Sequence, residues 1–288
     1  MAPSSPSVAV IGPLTLDVID GEKRPGGAVA YAARIAHALG ERIAILTIGA
    51  AHADLSAFAG HQLTMIDDRS LSFEHVEVDS SRQLRLLARP SRPLRGSDVP
   101  RHWGGLTTLI FAPLLPDDVD LDSFAAISGI TRRALIAQGL QRRVGPEQVI
   151  EHQHAPAAGL LSFVTPDTSL FLSAEEIEGW DSDALRALID ACERVVTTEG
   201  AAGAVVHRTG ERSLHVDAAP ANVVDTTGAG DVFATAYVLA IAAGAADAAA
   251  ARLASASAAA AIERPGAGGI TAAAIESRGR PRTTVGAA

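Results

Sequence analysis

The sequence predicts an α/β fold built on a parallel sheet, and three features near its beginning lead to this prediction. Residues 7–12 (SVAVIG) form a short β-branched run that ends in glycine, as a buried strand does. Gly26 and Gly27 precede an alanine-rich stretch that predicts a helix to about Leu39. Residues 42–48 (RIAILTI) predict the next buried strand. A strand, loop, helix and strand in this order require a right-handed crossover between parallel strands.

Residues 71–89 interrupt this pattern with a different period. Apolar and polar side chains alternate over residues 73–79 and again over residues 83–89, and Ser80 and Ser81 separate the two runs. This alternation predicts a half-exposed hairpin. Because one face of the hairpin stays polar, we expect a flap over the site or a contact patch for a second copy of the chain.

The rest of the chain continues the α/β pattern without a repeat or a break in composition. Asp17 lies in a segment that is typical of a turn. Further strands are predicted at residues 107–111, 133–137, 168–172 and 194–198, with an edge hairpin at 203–207 and 213–216. Helices are predicted at residues 119–127, 173–179, 228–243 and 246–262. We therefore expect one domain over residues 1–275, with the hairpin inserted at about 71–90, and a mobile tail over residues 276–288.

Composition narrows the choice of partners and compartment. The formal charge of −9 argues against nucleic acid or an anionic membrane as the partner. The single cysteine, Cys192, cannot form an internal disulfide, so we expect a cytoplasmic protein. Residues 1–7 lack the features of a signal peptide. The apolar run at residues 232–246 is shorter than the roughly 20 residues that a membrane-spanning helix needs.

The most informative stretch is D-T-T-G-A-G-D at residues 225–231, which leads directly into an apolar helix. A glycine-rich turn at a helix start presents unpaired N–H groups and a partial positive charge, which suit an anion. One interpretation of Asp231 is purely structural, as a residue that caps the helix. We favour a phosphoryl-transfer site, in which the N–H groups face phosphates and Asp231 faces the attacking hydroxyl. Lys23 is the only lysine and no P-loop motif is present, so backbone groups and arginine must hold the phosphates.

The order of the motifs resembles the ribokinase, or PfkB-type, family of carbohydrate kinases. The resemblance covers residues 8–271 and depends mainly on D-T-T-G-A-G-D, which is highly specific to that family. Asp17, the Gly26–Gly27 pair and T-E-G-x-x-G at residues 198–203 follow the expected order. The resemblance implies a doubly wound, mostly parallel sheet flanked by helices, with a small β lid. It also implies ATP-dependent phosphorylation of an alcohol.

The resemblance also implies a role for each matching residue. Asp231 resembles the catalytic base, and the anion hole corresponds to Gly228, Ala229 and Gly230. The substrate-binding residues correspond to Asp17, Gly26, Gly27 and Tyr31. The residues expected to bind the nucleotide are Thr198, Gly200, Gly203, Asp225, Thr226 and Thr227. Glu176 resembles the acid associated with the magnesium shell.

Two positions depart from the family pattern. Tyr31 stands near the place where the family often has asparagine, and a packed aromatic is the alternative interpretation of that residue. Ser173 replaces the asparagine of the family's N-x-x-E, so Glu176 could instead stabilise a helix start through the dipole. Asp17 could likewise be a turn-forming residue. Gly-Gly-Ala followed by small and aromatic residues is similar to inositol kinases of the family.

We therefore expect a kinase that uses ATP and Mg²⁺ to phosphorylate a small sugar, polyol or cyclitol. A monovalent cation is a further candidate cofactor, and a homodimer could form through the lid. A nucleoside kinase is the alternative within the family, and the aromatic content of 4% disfavours it because little is available for base stacking. A regulatory protein that binds sugar or nucleotide is the other alternative, and Asp231 argues against it because binding alone needs no base.

Overall fold

The secondary structure alternates between strands and helices along most of the chain. The computed structural model describes residues 5–78 and 81–279. The strands in this part of the chain are Val8–Ile11 (β1), Thr15–Ile19 (β2), Glu22–Gly26 (β3), Ala44–Gly49 (β4), Gln62–Asp67 (β5), Ser72–Val78 (β6), Ser81–Ala88 (β7), Thr108–Phe111 (β8), Arg132–Ile136 (β9), Arg142–Val144 (β10), Ile150–His152 (β11), Thr168–Ser173 (β12), Arg194–Thr198 (β13), Ala204–His207 (β14) and Leu214–Val216 (β15). The α-helices are Ala28–Ala38 (α1), Ala158–Phe163 (α2), Ser182–Ala191 (α3), Ala229–Ala242 (α4), Asp247–Ala261 (α5) and Ala272–Gly279 (α6).

A mostly parallel sheet forms the centre of the molecule. Within the described residues it has nine strands, in the order β15-β14-β13-β12-β9-β8-β1-β4-β5. β14 and β15 form the predicted hairpin at one edge, the pairs β13–β14 and β14–β15 are antiparallel, and the other pairs are parallel. Val10 of β1 pairs with Ile45 on one side and with Ile110 on the other. The order of the strands reverses at β1, which opens a crevice at the carboxyl ends of β1 and β8.

Two hydrophobic cores cover the two faces of this sheet. Val8 and Val10 of β1 pack into the core that contains α1, α4 and α5. Ala9 and Ile11 of the same strand pack into the other core, which contains residues of α2 and α3. Since both faces are buried, the central strands are continuous apolar runs without alternation. The predicted α/β fold with helices on both faces is confirmed.

A separate small sheet lies beside the carboxyl ends of the central strands. Its order is β3-β2-β6-β7, with β2 parallel to β6 and the other pairs antiparallel. Phe73 and Leu86 of this sheet pack with Leu114 and Leu115, which follow β8. The short ribbon of β10 and β11 joins its edge through a bridge between Arg85 of β7 and residue 149. The predicted hairpin is thus half of a larger lid.

Asp17 does not lie in a turn, contrary to the sequence prediction. It belongs to β2, where it pairs with Arg24 of β3. The strands that fix β2 are both short, and β6 lies more than 50 residues along the chain, with Val18 opposite Glu74. The pairing with β6 has no local signal, but the pairing with β3 has one, since Asp20 (φ +53°) and Gly21 (φ +76°) form a two-residue hairpin turn.

The predictions of helices at residues 119–127 and 173–179 are wrong. The first segment forms only a 3₁₀ turn at Leu121–Phe124, where the Ser123 hydroxyl bonds the Asp120 carbonyl (2.5 Å) and competes with helical bonding. The second segment forms successive turns over residues 174–179, although Ser173 and Glu176 exchange the two hydrogen bonds of a capping box (3.0 and 3.2 Å).

Residues 276–279 of the predicted tail form the last part of α6. The mobility of the tail stays a prediction. Arg278 of this helix forms an ion pair with Glu263, which ties the segment to the body of the protein. Residues 280–288 of the predicted tail, and Ser80 of the predicted hairpin turn, lie outside the described residues.

Several elements were not predicted, namely β3, β5, α2, α3, β10 and β11.

None of the helices found in the described ranges has the length and apolar character that a membrane crossing requires.

A buried polar network holds α4 and α5 against the sheet. Arg194 of β13 is only 5% exposed and lies 3.3 Å from the carboxylate of Asp247, the first residue of α5. The same carboxylate accepts the Tyr237 hydroxyl of α4 (2.7 Å) and pairs with Arg208 (3.0 Å). Glu193 also pairs with Arg194 (2.6 Å) and with Arg208 (3.5 Å), so two acids share the compensation of two arginines.

We predict that Asp247→Ala lowers the free energy of unfolding by about 2–4 kcal/mol, because it leaves Arg194 buried without full compensation. Glu211→Ala is the matched control, since Glu211 is 65% exposed and pairs with Arg208 at 3.8 Å. The control should change stability by less than about 0.5 kcal/mol. Urea unfolding measures both. Equal losses for the two variants would show that the network contributes nothing.

Candidate active site

A cleft with a volume of about 1180 Å³ lies between the central sheet and the lid, at the carboxyl ends of the parallel strands. All the predicted site residues line it, together with residues that were not predicted. The predicted residues that line the cleft are Asp17, Gly26, Gly27, Tyr31, Glu176, Thr198, Gly200, Gly203, Asp225, Thr226, Thr227, Gly228, Ala229, Gly230 and Asp231. Residues from distant parts of the chain therefore meet at one site.

The glycine turn at the start of α4 is held from within. The Asp225 carboxylate accepts the N–H of Thr227 (3.0 Å), the hydroxyl of Thr227 (2.6 Å) and the N–H of Gly266 (3.3 Å). The N–H of Ala229 bonds the Thr226 carbonyl (3.2 Å). By helix geometry, the next N–H groups have no acceptor in the preceding turn. These groups, on Gly230 and Asp231, are the donors that an anion could use.

The ring of Tyr31 packs against this turn at Gly228. Gly228 caps α4 in the left-handed region (φ +77°), and a Cβ there would overlap the Tyr31 ring. The tyrosine is buried and belongs to α1, whose own cap is Gly27 (φ +92°). The Tyr31 ring is therefore a packed aromatic. The predicted contact of Tyr31 with substrate stays a prediction.

The carboxyl of Asp231 has a strongly perturbed acidity. Burial raises its pKa to about 7, Arg142 opposes this rise, and Glu176 adds to it. The helix dipole alone would act in the other direction. A carboxyl whose pKa lies near neutral pH is well matched to accept a proton from a hydroxyl and to release it afterwards.

Glu176 is the second carboxyl in this part of the cleft. Burial raises its pKa to about 7, while the hydrogen bond from Ser173 and the charge of Arg142 oppose the rise. The Ser173 hydroxyl accepts the N–H of Glu176 (3.2 Å), so serine positions this acid where the family has asparagine. In residues 5–78 and 81–279 no group of three or more acids, histidines or cysteines could hold a metal ion. The site fits Mg²⁺ only together with donor phosphates and water, which is how proteins usually bind it.

Asp17 presents its carboxylate at the lid side of the cleft. It accepts the Thr15 hydroxyl (3.0 Å) and the N–H of Phe73 (3.4 Å). A Cβ at Gly26 would lie 3.2 Å from the Asp17 carboxylate, and one at Gly27 would lie 2.8 Å from the Pro13 carbonyl. Both glycines are therefore required for the close approach of β3 to β2, and Gly26 leaves room beside the acid.

The T-E-G-x-x-G segment forms the far end of the cleft. Thr198 ends β13, and Gly200 (φ +56°) faces open space. Gly203 (φ +104°) lies where a Cβ would overlap the carbonyl of Val216. Gly203 is therefore needed for the turn into the edge hairpin, and its predicted nucleotide contact is a separate prediction.

Arg142 is the main site residue that the sequence analysis missed. It starts β10, is 7% exposed, and donates from Nη1 to the Leu114 carbonyl (3.2 Å). Its guanidinium lies 5.7 Å from the centre of the Phe73 ring. Gln138, which follows β9, lines the cleft as well. The one sequence signal that could have indicated Arg142 was its position. Residues 137–142 follow the carboxyl end of a predicted parallel strand, where ligands bind in such sheets.

We predict that Gly228→Ala lowers the free energy of unfolding by more than about 2 kcal/mol, because the residue has a left-handed φ and contacts Tyr31. Gly230→Ala is the matched control, since a Cβ at Gly230 meets nothing within 4 Å. Urea unfolding should separate the two variants. Similar stability for both would contradict the packing argument.

We predict that Asp231→Asn is more stable than the wild type at pH 8. The folded-state pKa of about 7 is above the ordinary value of 3.8, so the folded protein binds the extra proton and loses stability as pH rises between these values. Asparagine cannot ionise and removes this loss. The advantage of the variant should disappear near pH 4. Unfolding curves at both pH values measure it, and an advantage that does not depend on pH would contradict the assigned pKa.

Comparison with known proteins agrees with this geometry. The chain is 31% identical over 194 residues to the bifunctional protein HldE of Rhodopseudomonas palustris (strain BisB5), which covers 63% of this chain and 39% of that protein. It is 27% identical over 261 residues to the HldE protein of Chromohalobacter salexigens, which covers 86% of this chain and 54% of that protein. The chain thus spans about half the length, or less, of these curated relatives.

Solved structures share the fold at low sequence identity. A pyrophosphate-dependent kinase of the ribokinase family, complexed with a pyrophosphate analogue and myo-inositol, superposes with a TM-score of 0.76 at 18% identity, covering 94% of this chain and 99% of that one. Arabidopsis thaliana ribokinase with ribose and ATP gives 0.69 at 14% identity, covering 96% and 100%. The fold is therefore the ribokinase fold.

The family profile described as pfkB family carbohydrate kinase matches residues 110–273, which include the glycine turn and Asp231. This match extends over more than half of the chain. The chain belongs to the pfkB family of carbohydrate kinases.

Proposed function

We propose that this chain transfers the γ-phosphate of ATP to a hydroxyl of a small sugar, polyol or cyclitol. The observation that carries the proposal is the position of Asp231. Its carboxyl lies at the start of α4, beside the unpaired N–H groups of the glycine turn and in the same cleft as Asp17. A binding protein would gain nothing from a buried acid whose pKa is about 7.

The residues divide the reaction between them. Asp17 accepts hydrogen bonds from acceptor hydroxyls, and Asp231 takes the proton of the attacking hydroxyl. The N–H groups of Gly230 and Asp231 stabilise charge on the transferring phosphoryl group. Charge on the donor phosphates is neutralised by Mg²⁺ when it is bound, and Glu176 is the acid we expect to support its water shell. Positioning and charge stabilisation supply most of the catalysis in such a reaction.

The lining of the cleft favours a nucleotide donor. Beyond the glycine turn, the cleft is lined by small apolar residues, which are Ala218, Ala219, Pro220, Ala221, Val223, Ala258, Ala259 and Ile262. Val223, which is 64% exposed, offers apolar surface that a bound ligand could cover. A nucleobase would bury these atoms, whereas pyrophosphate has no apolar group to place there. We therefore infer ATP, although a similar structure is described as pyrophosphate-dependent.

The acceptor half favours a sugar or cyclitol over a nucleoside. Asp17, His75 and Gln138 give this half a polar lining. Phe73 is the aromatic residue of the lid in this region, and Arg142 lies over its ring. That face is therefore not available for stacking on a base. Structures with the same fold contain myo-inositol and ribose. A homodimer through the lid stays a prediction.

We predict that the wild type releases ADP from ATP only in the presence of an acceptor, in a panel of sugars, cyclitols and nucleosides. Asp231→Asn should lower kcat by about 10²–10⁴ and leave donor affinity within a few-fold, because only proton transfer is lost. The measurement is coupled ADP release for ATP, with ³¹P NMR of the products for pyrophosphate. Asp217→Asn, on an exposed side chain, is the control.

Each outcome has a consequence for the proposal. Turnover by Asp231→Asn within a few-fold of the wild type would remove Asp231 from the mechanism. Turnover with pyrophosphate but not with ATP would correct the donor. Phosphorylation of nucleosides alone would replace the proposed acceptor class.

A further inference from the structure

Arg142 has one edge of its guanidinium unused. Its Nη1 donates to the Leu114 carbonyl at 3.2 Å, whereas Nε is buried and has no hydrogen-bond partner. A buried N–H that lacks an acceptor is unfavourable, and more so in a charged group. Arg142 also lines the cleft. An unpaired donor of this kind in a ligand cleft indicates a ligand that supplies the missing acceptor.

The charges around Arg142 identify where that ligand lies. Burial lowers the pKa of this guanidinium, and the negative charges of Glu176, Asp231, Asp118 and Asp17 oppose this effect. Glu176 and Asp231 act on it more strongly than Asp17 does. The charges of Glu176 and Asp231 therefore influence Arg142 more than the charge of Asp17, the acid proposed to hold the acceptor.

The guanidinium is also fixed in place before any ligand binds. The Leu114 carbonyl accepts a hydrogen bond from one nitrogen, and the guanidinium carbon lies 5.7 Å from the centre of the Phe73 ring. The Asp118 carboxylate accepts the N–H groups of Leu114 (2.9 Å) and Leu115 (2.7 Å), which in turn fixes that carbonyl. A donor held in this way stabilises developing charge without reorganisation during the reaction.

We propose that the Nε edge of Arg142 binds the phosphoryl group while it passes from the donor to the acceptor hydroxyl. The inference rests on the proposed kinase function. In that step the acceptor oxygen forms a bond to the γ-phosphorus, the bond from this phosphorus to the bridging oxygen of ADP breaks, and the hydroxyl proton moves to Asp231. The glycine turn holds the phosphoryl group on one side, and Arg142 holds it on the other.

Alternative roles for Arg142 fit the observations less well. A purely structural arginine of this burial would be expected to satisfy its Nε within the protein. An arginine that binds an anionic acceptor would be expected to lie closer to Asp17. Arginine suits the proposed role because its flat fork matches phosphate oxygens, and the chain has only one lysine to serve instead.

The test compares Arg142→Gln and Arg142→Lys with Arg143→Gln. Arg143 is the matched control, since it is the next residue of the same strand, is 69% exposed and pairs with Glu151. We expect kcat to fall by about 10²–10³ in Arg142→Gln, with the acceptor KM within about threefold, as for removal of an oxyanion donor. Affinity for the ATP analogue AMP-PNP should fall by about tenfold or more, and affinity for ADP by less than about threefold. The control should match the wild type in every measurement.

The variants and probes together decide the proposal. If Arg142→Gln does not fold, Arg142→Lys decides, because it keeps the charge and lacks the Nε edge, and we expect a fall in kcat of at least about tenfold. Wild-type turnover in either folded Arg142 variant overturns the proposal, as does a rise in acceptor KM alone. AMP-PNP binding needs no acceptor, so it supports or overturns the role of Arg142 even if the acceptor class is wrong. Imidodiphosphate serves as the analogue of pyrophosphate. A wild type that binds neither AMP-PNP nor imidodiphosphate overturns both the proposed kinase function and the role of Arg142.

Discussion

The contact between Tyr31 and Gly228 connects the two halves of the site. The Tyr31 ring fills the space that a side chain at Gly228 would need, so the glycine turn lies directly on α1. The same helix begins at Gly27, next to the strand that carries Gly26 and approaches Asp17. A shift of α1 would therefore move the acceptor-binding groups and the anion-binding turn together. This coupling keeps the attacking hydroxyl and the phosphoryl group in register, which is the main requirement of phosphoryl transfer.

The buried acids at and near the cleft lower the stability of the folded state and make the site more reactive. Asp118, Asp231 and Glu176 each have a pKa raised to about 7 by burial. Arg142 is the shared cation that limits these rises. Without it the acids would stay protonated at neutral pH and Asp231 could not act as a base. The folded state thus holds charges that favour unfolding as pH increases, and such strain is typical of active sites.

Local sequence signals predicted the parts of the molecule that depend on local physics. The buried strands, the start of α1 at the glycine pair and the start of α4 at the glycine turn follow from apolar runs and from the conformational freedom of glycine. The strand that contains Asp17 was missed although Asp20 and Gly21 form a two-residue turn into its neighbour β3, whereas its pairing with the distant β6 has no local signal. Arg142 was missed for the same reason, because a basic residue after a short strand has no signature until the fold brings it to the cleft.

The lid and the chemistry are connected through Phe73. This residue belongs to β6, its N–H binds the Asp17 carboxylate, and its ring lies against Arg142. The lid therefore contacts both the acid proposed to hold the acceptor and the arginine proposed to hold the phosphoryl group. An acceptor that packs under the lid would exclude water from the cleft while the positions of these two groups are already set. Exclusion of water in the same event would limit wasteful hydrolysis of the donor.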